Sequence, residues 1–116
     1  FDLISKFNTD YKYFDEDDER YEKPMYTALE ILAKSGKPLE LNIKLSFGNP
    51  EKKCLPSTIK WLTAWKKLGG KVIINSDAHF ASRIGLDFDK AKEVLKQIGY
   101  TSTLILTPNG FMEVAI

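Results

Sequence analysis

The residues whose types and spacing suit chemistry most clearly are Asp77 and His79, in the run Ile73-Ile74-Asn75-Ser76-Asp77-Ala78-His79. A carboxylate supplies a hard oxygen donor and an imidazole supplies a nitrogen donor. The two together suit a divalent metal. His79 is the sole histidine of the chain. If the backbone stays extended past the apolar run, side chains two residues apart point the same way and the donors converge. A second reading of the same residues stands beside this one: a surface imidazole next to a helix-capping aspartate.

Something must carry the pair to a site. Lys71 to Asn75 is a short β-branched run, the mark of a buried strand. In parallel α/β folds, active sites lie at the carboxyl ends of the strands, which is where Asp77 and His79 fall. Before this strand, Met25, Ala28, Leu29, Ile31 and Leu32 recur at helical spacing, with Pro24 in the first turn and Gly36 at the end. Pro38 to Ile43 reads as a strand and Lys44 to Pro56 as a loop. Ser57 reads as the cap of a helix carrying Ile59, Leu62, Trp65 and Leu68, stopped by Gly69-Gly70. After the loop Ser76 to Leu86, a helix starting near Asp87 or Asp89 buries Phe88, Ala91, Val94, Leu95 and Ile98, and Gly99 caps it. Thr101 to Leu106 is a strand, and Asn109-Gly110 signals a hairpin to a return strand, Phe111 to Ile116.

This alternation predicts parallel βαβ units and an α/β fold. Three buried strands are too few to close a barrel. They form either a small open sheet or the later half of a barrel. With 116 residues the chain is the size of one domain, read here as a single domain over 1–116.

Composition narrows the partners. Lys and Arg number 17 against 16 Asp and Glu, giving a net charge of +1. That balance provides no electrostatic attraction for nucleic acid or an anionic membrane surface. No apolar run approaches the roughly 20 residues of a membrane span. The opening FDLISKF lacks the order of a signal peptide, and one cysteine, Cys54, forms no internal disulfide. A cytoplasmic protein is expected. The missing initiator methionine suggests a piece of a longer polypeptide.

Ser76-Asp77-Ala78-His79, then Gly85, then Phe88-Asp89-Lys90-Ala91 resembles the last motif of the polymerase-and-histidinol-phosphatase (PHP) superfamily, in its histidinol-phosphatase branch. Phe1-Asp2-Leu3-Ile4 is similar to the segment that follows a metal-binding histidine in that family. Ser35 to Asn42 is similar to the helix end and strand before its substrate loop, and Pro56-Ser57 to the start of its next helix.

The resemblance implies the C-terminal portion of a distorted (β/α)7 TIM-like barrel. It implies two or three divalent ions (zinc, manganese or iron) held at the strand ends, with Asp77 and His79 as ligands. The implied activity is hydrolysis of a small phosphomonoester, in that branch histidinol phosphate of histidine biosynthesis, by a metal-activated water. The family's His-x-His motif and its middle His and Glu ligands have no counterpart here. They lie upstream, or the chain is a homologue that has lost its metals.

Phosphate needs cations. Where that branch often carries Thr-Ser-Gly and then Arg, this chain has Ile43-Lys44-Leu45-Ser46-Phe47-Gly48. Lys44 and Arg83 are therefore the candidate phosphate contacts. Asn42, ending a strand, either faces the site or bonds the backbone there. Asp2 is either a partner of the upstream histidine or a helix cap.

Other features read as structure. The acids Asp15 to Glu19 form a solvated loop and helix start. Trp61 and Trp65, four apart on a helix, form core contacts. Cys54 has no paired histidine in the sequence and reads as a plain thiol. Two further functional readings remain: a PHP phosphodiesterase or nuclease, and a non-catalytic PHP-like module. Oligomeric state is not legible.

Overall fold

The computed structural model describes residues 2–5, 7–8, 11–47 and 55–116, without the side chains of residues 2 and 3. The expectations for Phe1, the Asp2 carboxylate, Gly48 to Pro50 and Cys54 lie outside the described residues.

Among the described residues ten elements follow one another: α1 (Asp2–Ser5), α2 (Glu19–Ser35), β1 (Leu39–Asn42), α3 (Ile43–Phe47), α4 (Pro56–Lys67), β2 (Val72–Asn75), a 3-10 turn (Ala81–Arg83), α5 (Phe88–Ile98), β3 (Ser102–Thr107) and β4 (Gly110–Ala115). The strands form one mixed sheet in the order β1-β2-β3-β4. β1, β2 and β3 run parallel, and β4 returns antiparallel to β3. The chain is thus α/β, as the alternation predicted.

The β1–β2 register sets Leu39 beside Val72 and Leu41 beside Ile74. These four form one buried row, packed with Met25 and Leu29 of α2, Trp61, Leu62 and Trp65 of α4, and Ala91 and Leu95 of α5. All three long helices therefore cover the same face. The opposite face carries Glu40, Asn42, Ile73, Asn75, Leu104 and Leu106, none of them fully buried. Trp61 and Trp65 are 2% and 1% exposed, core residues as their spacing indicated. The Trp65 indole donates to Lys71 O at 2.8 Å and fixes the turn into β2. Gly70 lets the chain pass, since a Cβ there would lie 2.0 Å from the Trp65 ring.

Several boundaries differ from expectation, each for a local reason. Asp18 caps α2 by accepting from Arg20 N at 2.8 Å. Hydrogen bonds from the Arg20 side chain and backbone hold its carboxyl down, at about 2. Ala28 and Ile31 are exposed, because α2 meets the sheet along the narrower stripe of Met25 and Leu29. The cap of α4 is Leu55, not Ser57. Pro56 takes the first turn, where its fixed φ suits the helix and its missing N–H is not needed. Ile59 and Leu68, placed on the buried stripe by spacing, are partly exposed. The hairpin loop is Pro108-Asn109, with Gly110 already paired to Thr107 at φ 106. Thr107 Oγ1 donates to Gly110 O at 2.8 Å and closes that turn.

Two elements appear where loops were expected. Ile43–Phe47 is a short helix rather than the end of β1 and a loop. Asn42 Oδ1 accepts from Leu45 N at 3.0 Å, and Ile43 and Phe47 bury their side chains one turn apart. Within Ser76 to Leu86, residues Ala81–Arg83 form the 3-10 turn.

A candidate cation and anion site at the strand ends

Parallel pairing brings the site together. Asn42 is level with Asn75 at the carboxyl ends of β1 and β2. Two residues further along each strand's exit stand Lys44 and Asp77. Lys44 is carried by α3, Asp77 and His79 by the segment after β2, and Arg83 by the 3-10 turn. All four line one cleft of about 290 Å³.

The backbone after β2 does not stay extended, which corrects the expected route to convergence. Asp77 lies in the left-handed region at φ 50. Aspartate tolerates that conformation better than most residues because its short polar side chain bonds locally. The kink folds His79 back onto Asp77. His79 Nδ1 is 2.8 Å from Asp77 O and 3.8 Å from Asp77 Oδ1. A carbonyl oxygen only accepts, so the Nδ1–H donates to it and the neutral ring keeps its lone pair on Nε2. Backbone pinning of one ring nitrogen to free the other is the usual arrangement of a metal-binding histidine.

A cation already stands against that ring. Lys44 Nζ lies 3.2 Å from Nε2 and 3.3 Å from Nδ1, against the ring rather than in line with either nitrogen, and 3.9 Å from Asp77 Oδ2. The Lys44, Asp77 and His79 side chains are 51%, 38% and 59% exposed, so the group is open to solvent. The donor set suits a divalent ion in kind, with one carboxylate and one imidazole nitrogen, while the Lys44 ammonium beside them carries a charge of the same sign as such an ion. In number it is short. Among the described residues no third His, Cys, Asp or Glu joins the pair, whereas closed or catalytic sites commonly take three or four protein ligands.

Arg83 is exposed and has no ion-pair partner among the described residues, while the nearby Asp87 is engaged by Lys90 at 2.8 Å. Its guanidinium is free to receive an anion. Asn42 is absent from the cleft wall, and its Oδ1 is spent on Leu45 N, the backbone-bonding alternative for that residue. The apolar wall residues Ile43, Phe47, Phe80 and Leu86 escaped the sequence reading. No periodic signal marks that wall, because Ile84 is extended and Gly85 sits at φ 79, which breaks any helical spacing between Phe80 and Leu86.

No family model matches the chain, and no curated protein matches it.

Proposed function

We propose that this chain is the C-terminal part of a metal-dependent phosphomonoester hydrolase of the histidinol-phosphatase type, built on a (β/α)7 TIM-like barrel. One observation supports the reading above others: Asp77, His79, Lys44 and Arg83, from three separate segments, share one cleft at the carboxyl ends of adjacent parallel strands. That is where such barrels keep their chemistry. Helices on one sheet face, with Ile73, Leu104 and Leu106 on the bare one, suit a barrel wall whose inner side awaits further strands.

In this reading Asp77 and His79 are two ligands, and the remaining donors belong to other strands of the complete barrel. A divalent ion, when bound, supplies Lewis acidity toward phosphoryl oxygen and toward water. The chain's own residues do the rest. The Asp77 carboxylate and His79 Nε2 hold the cation. Lys44 leaves the imidazole and takes a phosphoryl oxygen as a point charge. Arg83 offers two N–H donors to the same group from across the cleft. The substrate is a small phosphorylated molecule.

The test uses the longer polypeptide that this reading requires. Manganese-dependent turnover of p-nitrophenyl phosphate, with little on its bis ester, is the expected result. Preference for the bis ester would favour a phosphodiesterase. No turnover of either, with metal bound, would favour a non-catalytic module.

A further inference from the structure

The cleft is mostly apolar, which a site for phosphate alone does not require. Its floor is Ile43 and Phe47, both buried at one turn's spacing on α3. Its rim comes from the segment after His79. Arg83 N donates to Phe80 O at 2.9 Å, Ile84 N to Ala81 O at 3.2 Å and Leu86 N to Arg83 O at 3.3 Å. The 3-10 turn itself is Ala81–Arg83, with Phe80 and Ile84 extended on either side and Gly85 at φ 79. Folded this way, the segment brings Phe80, Arg83 and Leu86 to the wall of the same cleft.

That wall places a guanidinium beside two apolar groups. Phe80 is 73% exposed. With Leu86, Ile43 and Phe47 it forms an apolar wall beside charged groups, the make-up of a small-molecule pocket. The ammonium of Lys44 and the guanidinium of Arg83 supply the charged end, and Phe47, Phe80, Leu86 and Ile43 supply the rest.

The geometry points to a specific ligand class: a phosphate monoester whose alcohol part is compact, apolar and ring-bearing, with Phe80 and Leu86 as its specificity-determining residues. The headgroup assignment rests on the phosphoesterase reading above, while the apolar subsite stands on the cleft wall. A sugar or polyol body would gain less from covering Phe47, Phe80 and Leu86, because little apolar surface of its own would leave water.

The test titrates the chain with phenylphosphonate and methylphosphonate, which share a headgroup and are not phosphate esters, and follows backbone amides by NMR. Phenylphosphonate is expected to bind about ten-fold more tightly, the ratio for roughly 60 Å² of ring surface leaving water. Phe80→Ala, at an exposed position, is expected to bring the ratio near one without altering methylphosphonate binding. Arg83→Gln is expected to weaken both probes alike and keep the ratio. A ratio near one in the unaltered chain, or one indifferent to Phe80→Ala, overturns the subsite. If the ratio behaves as stated but the longer polypeptide hydrolyses no phosphate ester, the phosphoesterase reading falls and the subsite survives.

Discussion

Lys44 and His79, 35 residues apart in sequence, meet with the lysine Nζ 3.2 Å from the imidazole Nε2. The contact follows from the parallel pairing of β1 and β2, which delivers the residues after each strand to the same place. Its consequence is electrostatic. An ammonium against the His79 ring, 3.9 Å from the Asp77 carboxylate, sets a positive charge in competition with any metal at the same two donors.

Removing the charge while keeping the length relieves that competition. Lys44→Met is expected to tighten manganese binding by about three- to ten-fold, the scale of one partly exposed charge interaction. Titration of the two proteins side by side checks it. Equal or weaker binding by the variant would show that Lys44 does not contend for the site.

The kink at Asp77 separates a backbone role from a ligand role. Asn tolerates the left-handed region nearly as well as Asp, and a β-branched residue does not. Asp77→Asn is expected to keep the melting temperature within a few degrees while losing the cation. Asp77→Val is expected to lose the cation and also about 1–2 kcal/mol of stability. Urea unfolding of the pair reads the difference.

Gly70 tests the packing that holds β2 in place. A methyl there would meet the Trp65 ring, which is buried and tied to Lys71 O. Gly70→Ala is expected to destabilise the fold by about 2–3 kcal/mol, in the range for overpacked cores. Gly36→Ala makes the contrast, since its site is open and only its φ of 67 resists a side chain. It is expected to cost about 1 kcal/mol. Thermal melts of both variants give the comparison.

Tyr100 sets an alkaline limit. Burial raises its pKa above the ordinary tyrosine value, and its hydroxyl donates to Leu62 O at 3.1 Å. The unfolded chain releases this proton near pH 10 while the folded chain still holds it. Stability from this group is therefore complete below about pH 10 and falls as pH rises toward the folded pKa. Tyr100→Phe is expected to be less stable at pH 7, where the hydrogen bond is lost, and to show a shallower decline above pH 10. Unfolding free energies at pH 7 and 10.5 check both signs.

Much of the fold was legible because its strongest signals are periodic. The β-branched run at Val72–Asn75, the stripe of Ala91 and Leu95, and the Gly99 cap all read directly into elements. Helix faces were less legible. Ile31 follows the period of α2 yet is exposed, because tertiary contact and not spacing decides how wide a buried stripe becomes. The helix at Ile43–Phe47 was hidden by its short length and by a cap, Asn42, that reads equally well as a strand end.

At the site, the residue types were legible and their geometry was not. Asp77 and His79 do come close, but through a left-handed kink that no periodicity encodes. The contact between Lys44 and His79 depends on strand order and register, which a single sequence leaves open. The apolar wall was overlooked because Phe80 and Leu86 sit in a segment read as loop.

Paramagnetic broadening by manganese tests most directly whether Asp77 and His79 jointly hold a cation. Sub-stoichiometric manganese is expected to broaden the amides of Ser76 to His79 and Lys44 first, and to spare them when both Asp77→Asn and His79→Ala are present. Equal broadening there in the double variant, or broadening centred instead on the acids Asp15 to Glu19, would contradict the assignment.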